Sequence, residues 1–285
     1  MNNTPSICNY VLSLALACAL ALPGASLHAA ETGRPMLEDM TSPQVQLAVK
    51  SGMTTIIIPI GGTEQNGPHM ALGKHNTRVK LLAGKIATRL GNALVAPTMA
   101  YVPEGSISPP AAHMRFAGTI SITPEAFAAV IDGTARSFRQ HGFTDVVLIG
   151  DHGSYQAQLK TIAAKLTKEF AGGSTGAPTT SAISTRVHFV EDYYRTTQKA
   201  YVDALRAKGL SDFQVGTHAG SADTSLMLAL DPSLVIPEKY EDAAREGPAT
   251  GTLGDPRKAS AALGELGVEL IVVRTAQAIK LATQR

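Results

Sequence analysis

Apolar residues along this chain gather into two kinds of run. The segment 53–60 is nearly continuous and β-branched, with Thr54, Thr55, Ile56, Ile57 and Ile58 in succession before Pro59 and Gly61-Gly62. It predicts a strand buried on both faces. The run 145–149 predicts a second such strand, halted at Gly150, and shorter runs over 94–96 and 187–190 predict two more. Elsewhere the apolar positions fall at helical spacing. Val79, Leu82, Ala83, Ile86 and Leu90 predict a helix over 77–90 that Gly91 closes. Helices are likewise predicted over 124–141, with Thr123 as N-cap and Gly142 beyond its end, and over 155–170, 221–230 and 264–282. Glycine- and proline-containing stretches at 103–115 and 172–176 read as surface loops. Strands alternating with helices predict an α/β fold, its mainly parallel sheet covered on both faces. No repeat or linker interrupts it, so one domain is expected.

The first stretch of the chain follows another logic. Residues 1–30 carry no Asp, Glu, Lys or Arg, and the apolar run 10–22 is too short to span a bilayer. Pro23-Gly24 and small residues to Ala29-Ala30 follow it, so an export signal over 1–30 is expected and an exported, periplasmic or secreted protein with it. Ala15-Leu16-Ala17 before Cys18 leaves a lipoprotein as the alternative. Both cysteines, Cys8 and Cys18, lie in this segment, so residues 31–285 contain none. That remainder cannot use a disulfide, a thiolate ligand or a cysteine nucleophile, and any metal must be held by His and carboxylate.

The whole chain has 285 residues, 44% of them hydrophobic and 17% charged, which excludes a disordered protein. A net charge of +2 without a basic cluster gives no reason to expect nucleic acid as a partner. A small molecule is the expected one.

Two of the strongest strands run straight into polar, glycine-rich turns, 61–69 and 150–154, where open parallel sheets bind ligands. The first turn carries Glu64 and His69, with His75 expected just before the next helix. The second carries Asp151 and His152, and a third group places His218 and Asp223 at the start of a short helix. Asp151 alone reads as a helix N-cap. Together, His69, His75, His113, His152 and His218 belong to loops that converge on one edge, whereas His141 and His188 have structural positions. Imidazole with carboxylate and no thiolate is ligand chemistry for Zn²⁺, Mn²⁺ or Fe²⁺.

Several motifs, in order, carry a resemblance. They are Gly62-Thr63-Glu64-Gln65-Asn66-Gly67-Pro68-His69-Met70, Phe116-Ala117-Gly118-Thr119-Ile120-Ser121, Gly150-Asp151-His152-Gly153, His218-Ala219-Gly220 with Asp223-Thr224-Ser225-Leu226-Met227-Leu228, and Gly254-Asp255-Pro256-Arg257-Lys258-Ala259 leading to Gly264-Glu265. Together they resemble the creatininase family of metal-dependent amidohydrolases. The resemblance implies a three-layer α/β fold, a homo-oligomer (often a hexamer) and a two-metal site. It maps the first metal's ligands onto Glu64, His75 and His152. At the three positions that would hold or bridge a second metal this chain has Asn66, His75 and Ser154. One divalent ion, Zn²⁺ before Mn²⁺ or Fe²⁺, is therefore expected on a His₂-carboxylate set with an open position.

The resemblance also implies that His218 is the acid/base histidine, and that Asp223 orients it or takes a proton from water. His69 is expected to orient a ligand from behind, and Asp151 is a weaker candidate base. Tyr101, the loop 103–113, Arg115 and Tyr155 are candidate walls of the substrate site. Creatinine-specific relatives close their site with Trp, and this chain has none, so another amide, lactam, lactone or short peptide is expected. The alternatives are a non-catalytic metal- or ligand-binding protein on this fold and a mononuclear iron enzyme.

Overall fold

The structure is a computed structural model that describes residues 35–171 and 184–284, with Met1. The rest of the 1–30 segment and the loop 172–176 lie outside the described residues. The elements belong to the unit Arg34–Arg285. In chain order they are α1 (Ser42–Lys50), β1 (Thr55–Ile60), α2 (Lys74–Leu90), β2 (Ala93–Val95), α3 (Pro124–Gln140), β3 (Asp145–Gly150), α4 (Gln156–Ala171) and β4 (Arg186–Phe189). Then come α5 (Asp192–Arg195), continued through a π-helical turn into α6 (Tyr201–Ala207), and α7 (Asp212–Val215), α8 (Ser221–Leu230), α9 (Tyr240–Glu246) and α10 (Ala261–Thr283).

The four strands form one parallel sheet in the order β2-β1-β3-β4. Alternation along β1 separates the two cores. Ile57, with Val147 and Ile149 of β3, packs against Val79, Leu82 and Ile86 of α2, Leu226 of α8 and Ile271 of α10. Ile56 and Ile58, with Val146 and Leu148, pack under Phe127 and Ile131 of α3 and Leu159 and Leu166 of α4. Helices, sheet and helices make three layers, as expected. Each fully buried Ile, Leu or Phe contributes roughly 1.5–3 kcal/mol, so β1, apolar on both sides, is central.

Register then sets the site. β1 and β3 pair from Thr55 with Asp145 to Ile60 with Gly150, so both strands end level and the turns after them lie side by side. The predicted strands and long helices are present with shifted ends. The shift that matters is at α2, which begins at Lys74 rather than at residue 77. His75 therefore stands inside the first helical turn, not before it. That turn is polar, so apolar periodicity could not reveal it. Lys74, His75 and Arg78 are buried because they face the site rather than water. Shorter or more polar helices (α1, α5 to α7 and α9) lacked a long enough apolar stripe to be read from the sequence.

Candidate metal centre

Glu64 is the hub. It lies in the turn after β1, fully buried, with its N–H donated to Leu72 O. Around its carboxylate stand His75 Nε2 at 2.6 Å and His218 Nδ1 at 3.6 Å from Oε1, with His152 Nε2 and His113 Nε2 each 3.2 Å from Oε2. Oε2 is a buried acceptor without a hydrogen-bond partner. Burial alone would raise this carboxyl; His75, His152 and Lys74 overcome it and hold it well below the usual carboxylate range. A buried anion among imidazole nitrogens is stabilised by positive charge, part of which Lys74 Nζ supplies 3.6 Å from Oε1.

Among the described residues, two sets offer three donor atoms within 4.8 Å of one another: Glu64 with His75 and His152, and Glu64 with His113 and His218. Hydrogen bonding on the far side of each ring separates them. His75 Nδ1 meets Asp151 Oδ2 at 2.5 Å, which makes Nδ1 the donor and leaves Nε2 for a cation. Ser154 donates its hydroxyl proton to Pro103 O at 2.6 Å, so at 2.9 Å it accepts from His152 Nδ1–H, again leaving Nε2. Gln65 differs. Its Oε1 accepts from Gly67 N–H, so its amide nitrogen donates to His113 Nδ1 at 3.0 Å and the His113 proton resides on Nε2. His113 thus turns an N–H, not a lone pair, toward Glu64 Oε2, without completing a hydrogen bond, and is no ligand. The set Glu64, His75 and His152 has the donor chemistry of a divalent-metal site.

The other expected residues divide. Asp151 is no N-cap. Fully buried, it takes His75 Nδ1–H, Arg78 Nε at 2.8 Å and the Tyr193 hydroxyl at 2.6 Å, and so orients a ligand through its far nitrogen. His218 donates Nε2–H to Gln65 O at 2.8 Å, and burial pushes its imidazole down to about 3, so Nδ1 is bare near neutral pH. Asp223 does not orient it. Its oxygens are engaged by Arg78 Nη1 at 2.6 Å, Lys74 Nζ at 3.3 Å and Ala219 N–H at 2.9 Å, which hold it well below the usual range despite burial. Ala219 sits at φ 56 to make that contact, a strained position beside His218.

His69 is fully buried against Thr224 and Tyr240 and touches none of the three donors. Tyr155 is no wall either: its buried hydroxyl accepts from the N–H groups of Asp151 and His152 and donates to Gly61 O, pinning the two turns together. Tyr101 and Arg115 are exposed.

Glu104 escaped the sequence reading. It is 2% exposed, neither oxygen has a hydrogen-bond partner, and Oε2 lies 3.3 Å from His152 Nδ1. Burial pushes its carboxyl up to about 8, against the pull of His152 and with Glu64 adding to the rise. Gly62 makes room for it: at φ +149, a Cβ there would stand 2.2 Å from Glu104 Oε1. The only signal in the sequence was an acid inside a proline- and glycine-containing loop.

A family model described as Creatininase: Creatinine amidohydrolase matches residues 38–279. The chain belongs to the creatininase family. It is accordingly a metal-dependent amidohydrolase. This family member is 26% identical over 261 residues to the creatinine amidohydrolase of Pseudomonas putida, covering 85% of this chain and 95% of that one. It is 28% identical over 242 residues to the mycofactocin precursor peptide peptidase of Mycobacterium tuberculosis, covering 74% and 78%. A solved structure titled "Creatininase Mn" aligns with a TM-score of 0.69 at 25% identity, over 88% of this chain and 99% of that one. Two positions where the family pattern would place second-metal ligands are turned elsewhere. Asn66 Nδ2 donates to Glu64 O and Ala71 O, and Ser154 is engaged by Pro103 and His152.

Proposed function

We propose that this creatininase-family member hydrolyses a C–N bond in a small amide, cyclic amide or short peptide, with a single divalent ion held by Glu64, His75 and His152. The observation that carries this reading is the buried Glu64 carboxylate with His75 Nε2 at 2.6 Å and His152 Nε2 at 3.2 Å, both rings backed on their far nitrogens. When bound, the ion supplies Lewis acidity to water and to the scissile carbonyl. The chain's own groups do the rest. His218, neutral and bare at Nδ1, accepts a proton from water at that atom and delivers it to the leaving nitrogen. Gln65 fixes the ring by accepting His218 Nε2–H on its backbone oxygen. Asp151 and Ser154 hold His75 and His152 in the tautomers that expose Nε2.

Zinc is the ion we favour, because two imidazoles and a carboxylate with an open position suit it best. The lack of Trp argues for a substrate other than creatinine. Among the described residues no helix is long and apolar enough to cross a membrane. We further propose that residues 1–30 direct export, that 31–285 form the catalytic domain, and that it assembles as a homo-oligomer.

The deciding experiment combines metal analysis of the purified protein with turnover on a panel of amides, lactams, lactones and dipeptides. One ion per chain with C–N hydrolysis supports the reading. Stoichiometric metal with no turnover on any member would favour a binding protein, and an oxygen requirement an iron enzyme.

A further inference from the structure

Lys74 breaks the local rules. It is 1% exposed, where lysine is rarely found, and it lies in the first turn of α2, where the helix dipole disfavours positive charge. Two carboxylates hold it there. Its Nζ stands 3.3 Å from Asp223 Oδ2 and 3.6 Å from Glu64 Oε1, the same oxygen that meets His75 Nε2. A buried cation that shares an oxygen with a metal-ligand candidate is part of the centre's charge, not a solvated surface group.

We propose that the Lys74 ammonium is the fixed second positive charge of this centre, so that the site accepts one divalent ion and repels another. The inference rests on the donor set Glu64, His75 and His152. Three acids, Glu64, Asp151 and Asp223, are ion-paired with the two buried cations Lys74 and Arg78, so this paired set carries a small negative excess. One divalent ion turns the small negative excess into a small positive one. A second would leave a large positive excess in a medium that screens it poorly. The side chain of Asn66 is turned into its own loop and that of Ser154 is bonded to Pro103 O, so they offer a second ion nothing in compensation. Asp223, then, anchors the ammonium, and Arg78 fixes Asp223 from its other oxygen.

The test uses metal alone. Full-length protein is stripped with chelator, titrated calorimetrically with Zn²⁺ and separately with Mn²⁺, and its retained metal counted after gel filtration. Wild type is expected to saturate at one ion per chain. The neutral variants Lys74→Met and Lys74→Gln, checked for folding by circular dichroism, are expected to bind that ion at least about tenfold more tightly because a nearby like charge is gone. Lys74→Arg is expected to stay near wild type. In a chain carrying Asn66→His, His75→Asp and Ser154→Glu, whose two added carboxylates offset a second ion's charge, that second ion is expected to bind at least about tenfold more tightly when Lys74 is also replaced by Met. Two ions in wild type, unchanged or weaker binding in a folded neutral variant, or a second ion in the restored chain held no more tightly once Lys74 is replaced would overturn the proposal. No ion in wild type would instead defeat the donor set beneath it.

Discussion

Asp151 Oδ2 and His75 Nδ1 stand 2.5 Å apart, joining the turn after β3 to the first turn of α2 beneath Glu64. The carboxylate decides which nitrogen of His75 faces the centre. Arg78 and Tyr193 complete its coordination, so it has no capacity left for proton transfer with water.

Asp151→Asn is therefore expected to weaken divalent-ion binding by about 10–100-fold, the usual effect of losing a ligand's outer partner. It should also lower stability by roughly 3–5 kcal/mol, because Arg78 is left as a buried charge with one partner fewer. Metal titration and urea unfolding of the same preparation measure both. A variant that binds metal normally would show that the His75 tautomer is set by something else.

His75→Ala removes a donor without removing a core side chain. Metal affinity should fall by more than about 100-fold, beyond the loss expected for an outer partner, while the far-UV spectrum is retained. Normal metal content in that variant would refute the ligand assignment.

Glu104→Gln tests a buried carboxyl through pH. The group is raised from its ordinary 4.5 to about 8, with His152, Glu64 and Lys74 as its charged neighbours. Between those values the unfolded chain releases the proton and the native state keeps it. Native protein thus binds more protons, and its stability falls as pH rises, by up to about 1.4 kcal/mol per pH unit from this group. The favourable contribution is complete below the unfolded value and is lost as pH climbs toward 8. The stability difference between the Glu104→Gln variant and wild type should therefore grow in the variant's favour from pH 5 to pH 8. Thermal unfolding of metal-free protein across that range reads it, and a difference independent of pH would sink the idea.

Tyr155→Phe keeps the ring and removes only the hydroxyl that holds the N–H groups of Asp151 and His152. A loss of about 1–3 kcal/mol is expected from the His152 N–H and Gly61 O that lose this partner, while Asp151 N–H keeps Ile60 O. Metal binding should weaken less than in Asp151→Asn, since both ligand rings keep their far-side partners. Equal loss in the two variants would mean that backbone placement, rather than tautomer, governs the site.

Much of this was legible in one dimension. The β-branched run of β1, the matching run of β3 and the apolar stripes of α2, α3 and α4 determined a parallel sheet between helix layers, because burial on a pleat or a helix face imposes a period on the chain. The absence of cysteine beyond residue 30 and the glycine-rich turns after two strands pointed to His and carboxylate at one sheet edge. Family motifs singled out Glu64, His75 and His152.

Tertiary structure alone decided what each group does. Asp151 ceased to be an N-cap because its partner His75 is 76 residues away, and Gln65 became the holder of His218 across 153 residues. Lys74, Arg78 and Glu104 have no periodic signal, since a buried charge is stabilised by a few long-range partners rather than by a repeating face. Periodicity records which side of an element is dry. It carries no information about which acid, imidazole or ammonium will meet there, and at this centre that meeting sets the charge, the tautomers and the chemistry.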